Sequence, residues 1–150
     1  MQKIVTFLWF NGNAEAAVDF YVSIFKNSKV LSLMGPKGKA MGVSFQLEGQ
    51  AFYALNGGPQ YAFTPAISLF VNCETQPEVD DLWKKLTAGG GEEQCGWLRD
   101  KFGLSWQIIP TTLGRLLGDK NPAKANAALQ AMLQMKKIDI KALQQAFDAA

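Results

Sequence analysis

One sentence of secondary structure is written twice in this chain, and that duplication limits its fold more than any other feature. The first copy, TFLWFNGNAEAAVDFYVSIF from Thr6 to Phe25, reads as a strand, an Asn/Gly turn and an amphipathic helix. The second, AISLFVNCETQPEVDDLWKKL from Ala66 to Leu86, repeats that order, and a hairpin-like stretch follows each copy. Paired units of this kind predict two half-barrels that build a cleft for a small molecule, often around a metal held by histidine. The chain contains no histidine.

At 150 residues, 48% hydrophobic and 19% charged, the chain can bury a proper core but has room for only one or two domains. Its net charge of +2 is spread over short basic pairs such as Lys84-Lys85 and Lys136-Lys137. That is too little for recognising a phosphate backbone, so no nucleic-acid partner is expected. Cys73 and Cys95 match no zinc spacing and make no disulfide framework, which reads as two reduced thiols. The opening MQKIVTFLWF is short for a signal sequence and serves better as a first strand. No run is long enough to cross a membrane, and the expected location is the cytoplasm.

In the first module (about 1–60), Thr6 to Phe10 is a strand and Asn13 is placed to cap the following helix with its side chain. Glu15 suits the positive helix end, and Ala17, Phe20, Tyr21, Ile24 and Phe25 form an apolar stripe. Three strands follow, Val30 to Met34, Met41 to Leu47 and Ala51 to Asn56, the last two joined at Glu48-Gly49-Gln50. The second module (about 61–110) opens with the strand Ala66 to Asn72. A helix with its apolar stripe at Val79, Leu82, Trp83 and Leu86 comes next and is ended by Gly89-Gly90-Gly91. Glu92 to Leu98 and Leu104 to Ile109 are strands around a turn at Asp100 to Gly103, where Asp100 reads as a solvated turn residue, as does Glu48 in its own turn. Residues 111–150 form a helical extension of the same domain. Its helices are Thr111 to Leu117, one begun by Asn121-Pro122 with Ala125, Ala128, Leu129, Met132 and Leu133 as its stripe, and one capped by Asp139. This tail is expected either to cover the sheet or to supply a dimer contact. The fold class is α+β, two βαβββ modules with a helical tail.

FLWFNGNAEAAVDFY, ALNGGP at Ala54 to Pro59, ISLFVNCETQPEVDDLW, CGWLRDKFGLSWQIIP at Cys95 to Pro110 and the tail stretch AMLQMKKIDIKAL together resemble the vicinal oxygen chelate superfamily. That superfamily includes glyoxalase I, bleomycin-resistance proteins and extradiol dioxygenases. Within it the chain is most similar to the PhnB-like group, also called 3-demethylubiquinone 3-methyltransferase-like. The resemblance implies the glyoxalase/bleomycin-resistance type of curved sheet or half-barrels, and by precedent a homodimer. It also implies four metal ligands, usually His or Glu, at positions corresponding to Thr6, Ala54, Ala66 and Gln107. An amide, a hydroxyl and two methyl groups cannot hold a catalytic transition metal, so neither metal nor other cofactor is expected. A conventional S-adenosylmethionine loop is not apparent, which argues against methyl transfer.

Alternation along the strands predicts a cleft lined by Thr6, Leu8, Phe10, Asn56, Ser68, Phe70, Ser105 and Gln107, with Trp97 at its mouth. Such a lining suits an uncharged or aromatic ligand. Cys95 would need Arg99 or Lys101 to act as a nucleophile, and no catalytic residue is assigned. Three classes stay open: a metal-free binding protein of the bleomycin-resistance type, a lyase, isomerase or dioxygenase with an atypical metal site, and a structural protein with a filled barrel.

Overall fold

Each of the two copies folds into its own open, four-stranded mixed sheet with a helix on one face. The computed structural model describes residues 2–150. The chain divides into a first unit ending at Phe63 and a second unit, Thr64–Ala150. In the first, β1 (Thr6–Phe10) leads into α1 (Ala14–Ile24), followed by β2 (Lys29–Met34), β3 (Gly42–Leu47) and β4 (Gln50–Asn56). The sheet order is β1-β4-β3-β2, with β1 parallel to β4 and the other pairs antiparallel. Glu48 and Gly49 both have positive φ, +48° and +79°, as a two-residue hairpin of the I′ kind requires.

The core of this unit lies between sheet and helix. Ala14, Ala17, Val18 and Tyr21 are the buried residues of α1, so the stripe sits slightly to one side of the expected one and leaves Phe20, Ile24 and Phe25 partly exposed. Val43, Phe45 and Leu47 of β3 are buried, as are Phe52 and Ala54 of β4. Burial of each large apolar side chain contributes about 1.5–3 kcal/mol. The expected cap is corrected: Asn13 is at the N-cap position of α1 but makes no side-chain capping bond. The Oδ1 of Asn56, at the far end of β4, accepts from Ala14 N at 2.8 Å instead. Asn56 Nδ2 also donates to Ala40 O at 2.9 Å, so one amide ties the helix start to the β2–β3 loop.

The second unit contains β5 (Ser68–Cys73), α2 (Gln76–Thr87), β6 (Gly91–Glu92), β7 (Trp97–Arg99) and β8 (Ser105–Pro110), in sheet order β5-β8-β7-β6. The parallel pair is β5 and β8, as β1 and β4 are in the first. The stripe Val79, Leu82, Trp83 and Leu86 is buried as expected, and Thr75 Oγ1 caps α2 by accepting from Glu78 N. The single strand expected from Glu92 to Leu98 is broken. Cys95 takes a φ of +61° and Gly96 of +84°, turning the chain out between β6 and β7. The cause lies forty residues on: Cys95 N and Gly96 N donate to Met135 O and Lys136 O, each at 2.8 Å. Gly96 has a positive φ that favours glycine, and a Cβ there would crowd Ile109 Cδ1 at 2.6 Å and Ile138 Cγ1 at 3.0 Å.

The tail itself is helical: α3 (Thr111–Leu117), α4 (Pro122–Leu133) and α5 (Ile140–Asp148). Asn121 caps α4 and Asp139 caps α5 through side-chain oxygens. These helices close a second core on the end of β8, in which Ile109, Leu113, Leu116, Ala128, Ile138 and Leu143 are buried. Of the stripe expected on α4, only Ala128 is fully buried and Leu133 is exposed. Among the described residues no helix is long and apolar enough to cross a membrane.

Candidate functional site

Strand register decides which side chains each sheet leaves uncovered. In the first unit Thr6 pairs with Phe52, Leu8 with Ala54 and Phe10 with Asn56. Because paired residues share a face and Asn56 reaches α1, this is the helix-covered face. Leu8 and Phe10 are accordingly buried, and Thr6, Leu8 and Phe10 do not line an open face as alternation had suggested. The uncovered face carries Phe7, Trp9, Tyr53 and Leu55. Phe7, 56% exposed, meets Tyr53 edge-on with ring centroids 6.3 Å apart. Trp9 packs against Tyr61 at 4.9 Å, donates from Nε1 to Gly58 O and lies over Gly57, where any Cβ would strike its ring.

In the second unit the expected facing holds. Leu98 and Trp106 form a pair on the α2 side, and both are buried. The opposite face presents two rows that run across β7, β8 and β5. One row is Trp97, Gln107 and Phe70; the next is Arg99, Ser105 and Ser68. Gln107 Nε2 donates to Ser68 Oγ at 3.0 Å, joining the rows. Phe70 is 52% exposed, Trp97 and Gln107 are half-buried, and Ser105 is buried. Arg99 escaped the sequence reading as a lining residue because only the three-residue strand β7, paired to Ser105, places it on this face. Of the nine residues expected in a site, Ser68, Phe70, Trp97, Ser105 and Gln107 are brought together here. Asn56 in the first unit spends both its amide atoms on the fold.

Asp100 is not the solvated turn residue expected. It is 2% exposed, and its Oδ1 accepts from Phe102 N at 2.8 Å and Leu104 N at 3.1 Å. Its Oδ2 accepts from Trp106 Nε1 at 2.8 Å. The carboxylate thus shapes the β7–β8 turn, and with it the spacing of Arg99 and Gln107. Lys101 extends over the Phe102 ring, 5.5 Å from its centroid.

The donor set does not fit the metal that such a fold implies. Thr6 and the buried Ala54 lie on the covered face of their sheet, Ala66 precedes β5, and Gln107 alone faces outward. Correcting the register changes little, since the uncovered faces of β1 and β4 offer Phe7, Trp9, Tyr53 and Leu55. On β5 and β8 the oxygen donors are hydroxyls and amides, without a carboxylate or imidazole. Strand β5 runs one residue further than expected and takes in Cys73. That thiol is buried, and burial, together with Glu78 and Glu74, pushes its pKa up to about 12. A thiol so reluctant to ionise is a poor ligand or nucleophile. Among the described residues no three Cys, Asp or Glu side chains are grouped to hold a metal.

Two open mixed sheets, each with a parallel β-pair at one edge and a helix on one face, define the glyoxalase/bleomycin-resistance class of fold. The sequence profile described as 3-demethylubiquinone-9 3-methyltransferase matches residues 2–109, and the chain belongs to that PhnB-like family. A PhnB protein from Bacillus cereus, carrying the same methyltransferase name, is 37% identical over 73% of this chain and 100% of its own, with a TM-score of 0.68. A Pseudomonas aeruginosa protein shares the fold at 20% identity and a TM-score of 0.62, covering 73% of this chain and 98% of its own. The fosfomycin resistance protein FosX from Listeria monocytogenes does so at 16% identity and 0.54, covering 76% and 96%. No curated protein matches the sequence. The family profile stops at residue 109, so α3, α4 and α5 lie beyond it.

Proposed function

We propose that this chain is a small-molecule-binding protein of the bleomycin-resistance type that works without a metal and holds a flat, partly aromatic ligand on the uncovered face of the second sheet. The observation that carries this reading is Gln107. It sits between Phe70 and Trp97, gives its Nε2 hydrogen to Ser68, and accepts no hydrogen bond at Oε1 from the described residues. Aromatic walls around a half-satisfied amide suit a ligand that stacks and donates one hydrogen bond.

The methyltransferase name finds no support in the strand-to-helix connections. These are Asn11-Gly12-Asn13, Glu74-Thr75 and the direct step from Pro110 into Thr111, none of them a glycine-rich loop, and each sheet is mixed rather than parallel. We further take it to act in the cytoplasm, and as a homodimer by superfamily precedent.

Native mass spectrometry of purified protein, beside elemental analysis of the same sample, tests the reading. The expected result is a metal-free protein that retains or takes up a small organic ligand, with Gln107→Leu weakening uptake roughly tenfold. Stoichiometric Ni, Zn, Mn or Fe in protein purified without added metal would overturn the metal-free claim. Ligand uptake unaltered by Gln107→Leu would remove Gln107 from the site.

A further inference from the structure

The geometry points to a planar aromatic carboxylate as the class of ligand, its ring along the Trp97–Gln107–Phe70 row and its acid group at Arg99. This inference rests on the binding reading above and amends the expectation of an uncharged ligand. Arg99 stands beside Ser105 in the register, one row from the aromatic side chains. Its neighbour on the other side is Gly91 of β6, which has no side chain to cover it. Lys85 pairs with Asp81 and Lys137 with Asp80, and Arg99 takes part in neither ion pair. An exposed guanidinium with no acidic partner, next to a serine row, is a planar fork suited to a carboxylate.

Glu93 donates its backbone N–H to Trp97 O at 3.0 Å, which carries the β6–β7 register, Gly91 to Arg99 and Glu92 to Leu98, one residue further. It lies beside the aromatic row, away from the Arg99 row, so the face has a polarity. An acid group is favoured at the Arg99 end and repelled at the other. Rows two residues apart are separated by about 7 Å, and outer strands of a three-strand patch by about 10 Å. A fused bicyclic ring bearing one carboxylate spans both distances, and Gln107 Oε1 is placed to accept from a ring N–H or hydroxyl.

The test is an NMR titration of the full-length, ¹⁵N-labelled protein with 2-naphthoate and its neutral counterpart 2-naphthamide, at low salt. The expected result is that both shift the Trp97 indole and Gln107 side-chain signals, with naphthoate at least about tenfold tighter. Arg99→Gln should abolish that preference while leaving naphthamide affinity unchanged, Arg99→Lys should restore part of it, and added salt should weaken naphthoate alone. Equal affinities for the two probes, unchanged by Arg99→Gln, would overturn the carboxylate inference and leave the binding reading standing. Failure of both probes to move the Trp97 and Gln107 signals would overturn both.

Discussion

Asp100 shows how much one side chain in a turn can govern. Its two oxygens satisfy Phe102 N, Leu104 N and Trp106 Nε1, and the last two bonds are buried away from water. In Asp100→Asn an amide N–H would face the Trp106 N–H, donor against donor. A loss of about 1–3 kcal/mol in urea unfolding is expected, and more for Asp100→Ala, which removes all three bonds at once. An unchanged urea midpoint would show that the turn is held by other means. Sequence alone could not reveal this role. Asp and Gly in a turn are ordinary, and the bond that matters reaches a tryptophan whose inward facing follows only from its pairing with Leu98. The same blindness affects Asn13 and Asn56: both were visible as polar residues, but the one expected to cap the helix does not, and the one that does comes from forty-two residues away.

At the scale of elements, periodicity was informative wherever only one face of an element is apolar. Helix α2 alternates apolar and charged residues, and its four buried positions were read correctly from spacing. Strand β1, TFLWF, is apolar on both faces, so alternation yielded two faces without saying which α1 covers, and the choice came out reversed. The break between β6 and β7 was hidden for a different reason, since its cause is the tail's backbone at Met135 and Lys136. The connection between α1 and the β2–β3 loop yields a pH prediction. Glu15 accepts from Gly38 N at 3.0 Å and Ala40 N at 3.1 Å, and these backbone bonds, the Gly38 one first, hold its carboxyl below the ordinary range. A lowered folded pKa adds stability that is present above the unfolded pKa and lost as pH falls through the folded one. Wild type should therefore melt above Glu15→Gln at pH 7, and the gap should close as the pH drops below the carboxylate range. A gap independent of pH would show that the Glu15 charge is not the source.

For the whole molecule, the duplication was legible because both copies kept the same order of elements, and the family profile spans that repeated part. The two copies have nevertheless diverged in what they present. The first leaves Phe7, Trp9, Tyr53 and Leu55 uncovered, whereas the second offers two hydroxyls, an amide, a guanidinium and two aromatic rings. Large exposed aromatic side chains on a sheet face are costly for a solitary chain. Light scattering at micromolar concentration should accordingly give the mass of a dimer, and a single monomeric species would count against it. The pairing of Cys95 and Gly96 with Met135 and Lys136 also bears on how the protein is made. Every hydrogen-bond partner of Asn56 lies within the first 56 residues, so that brace can form while synthesis continues. Cys95 and Gly96 gain their backbone partners only once residues 135 and 136 have been made, and a ribosome that stalls within the tail leaves the bend before Trp97 unsupported in its nascent chain.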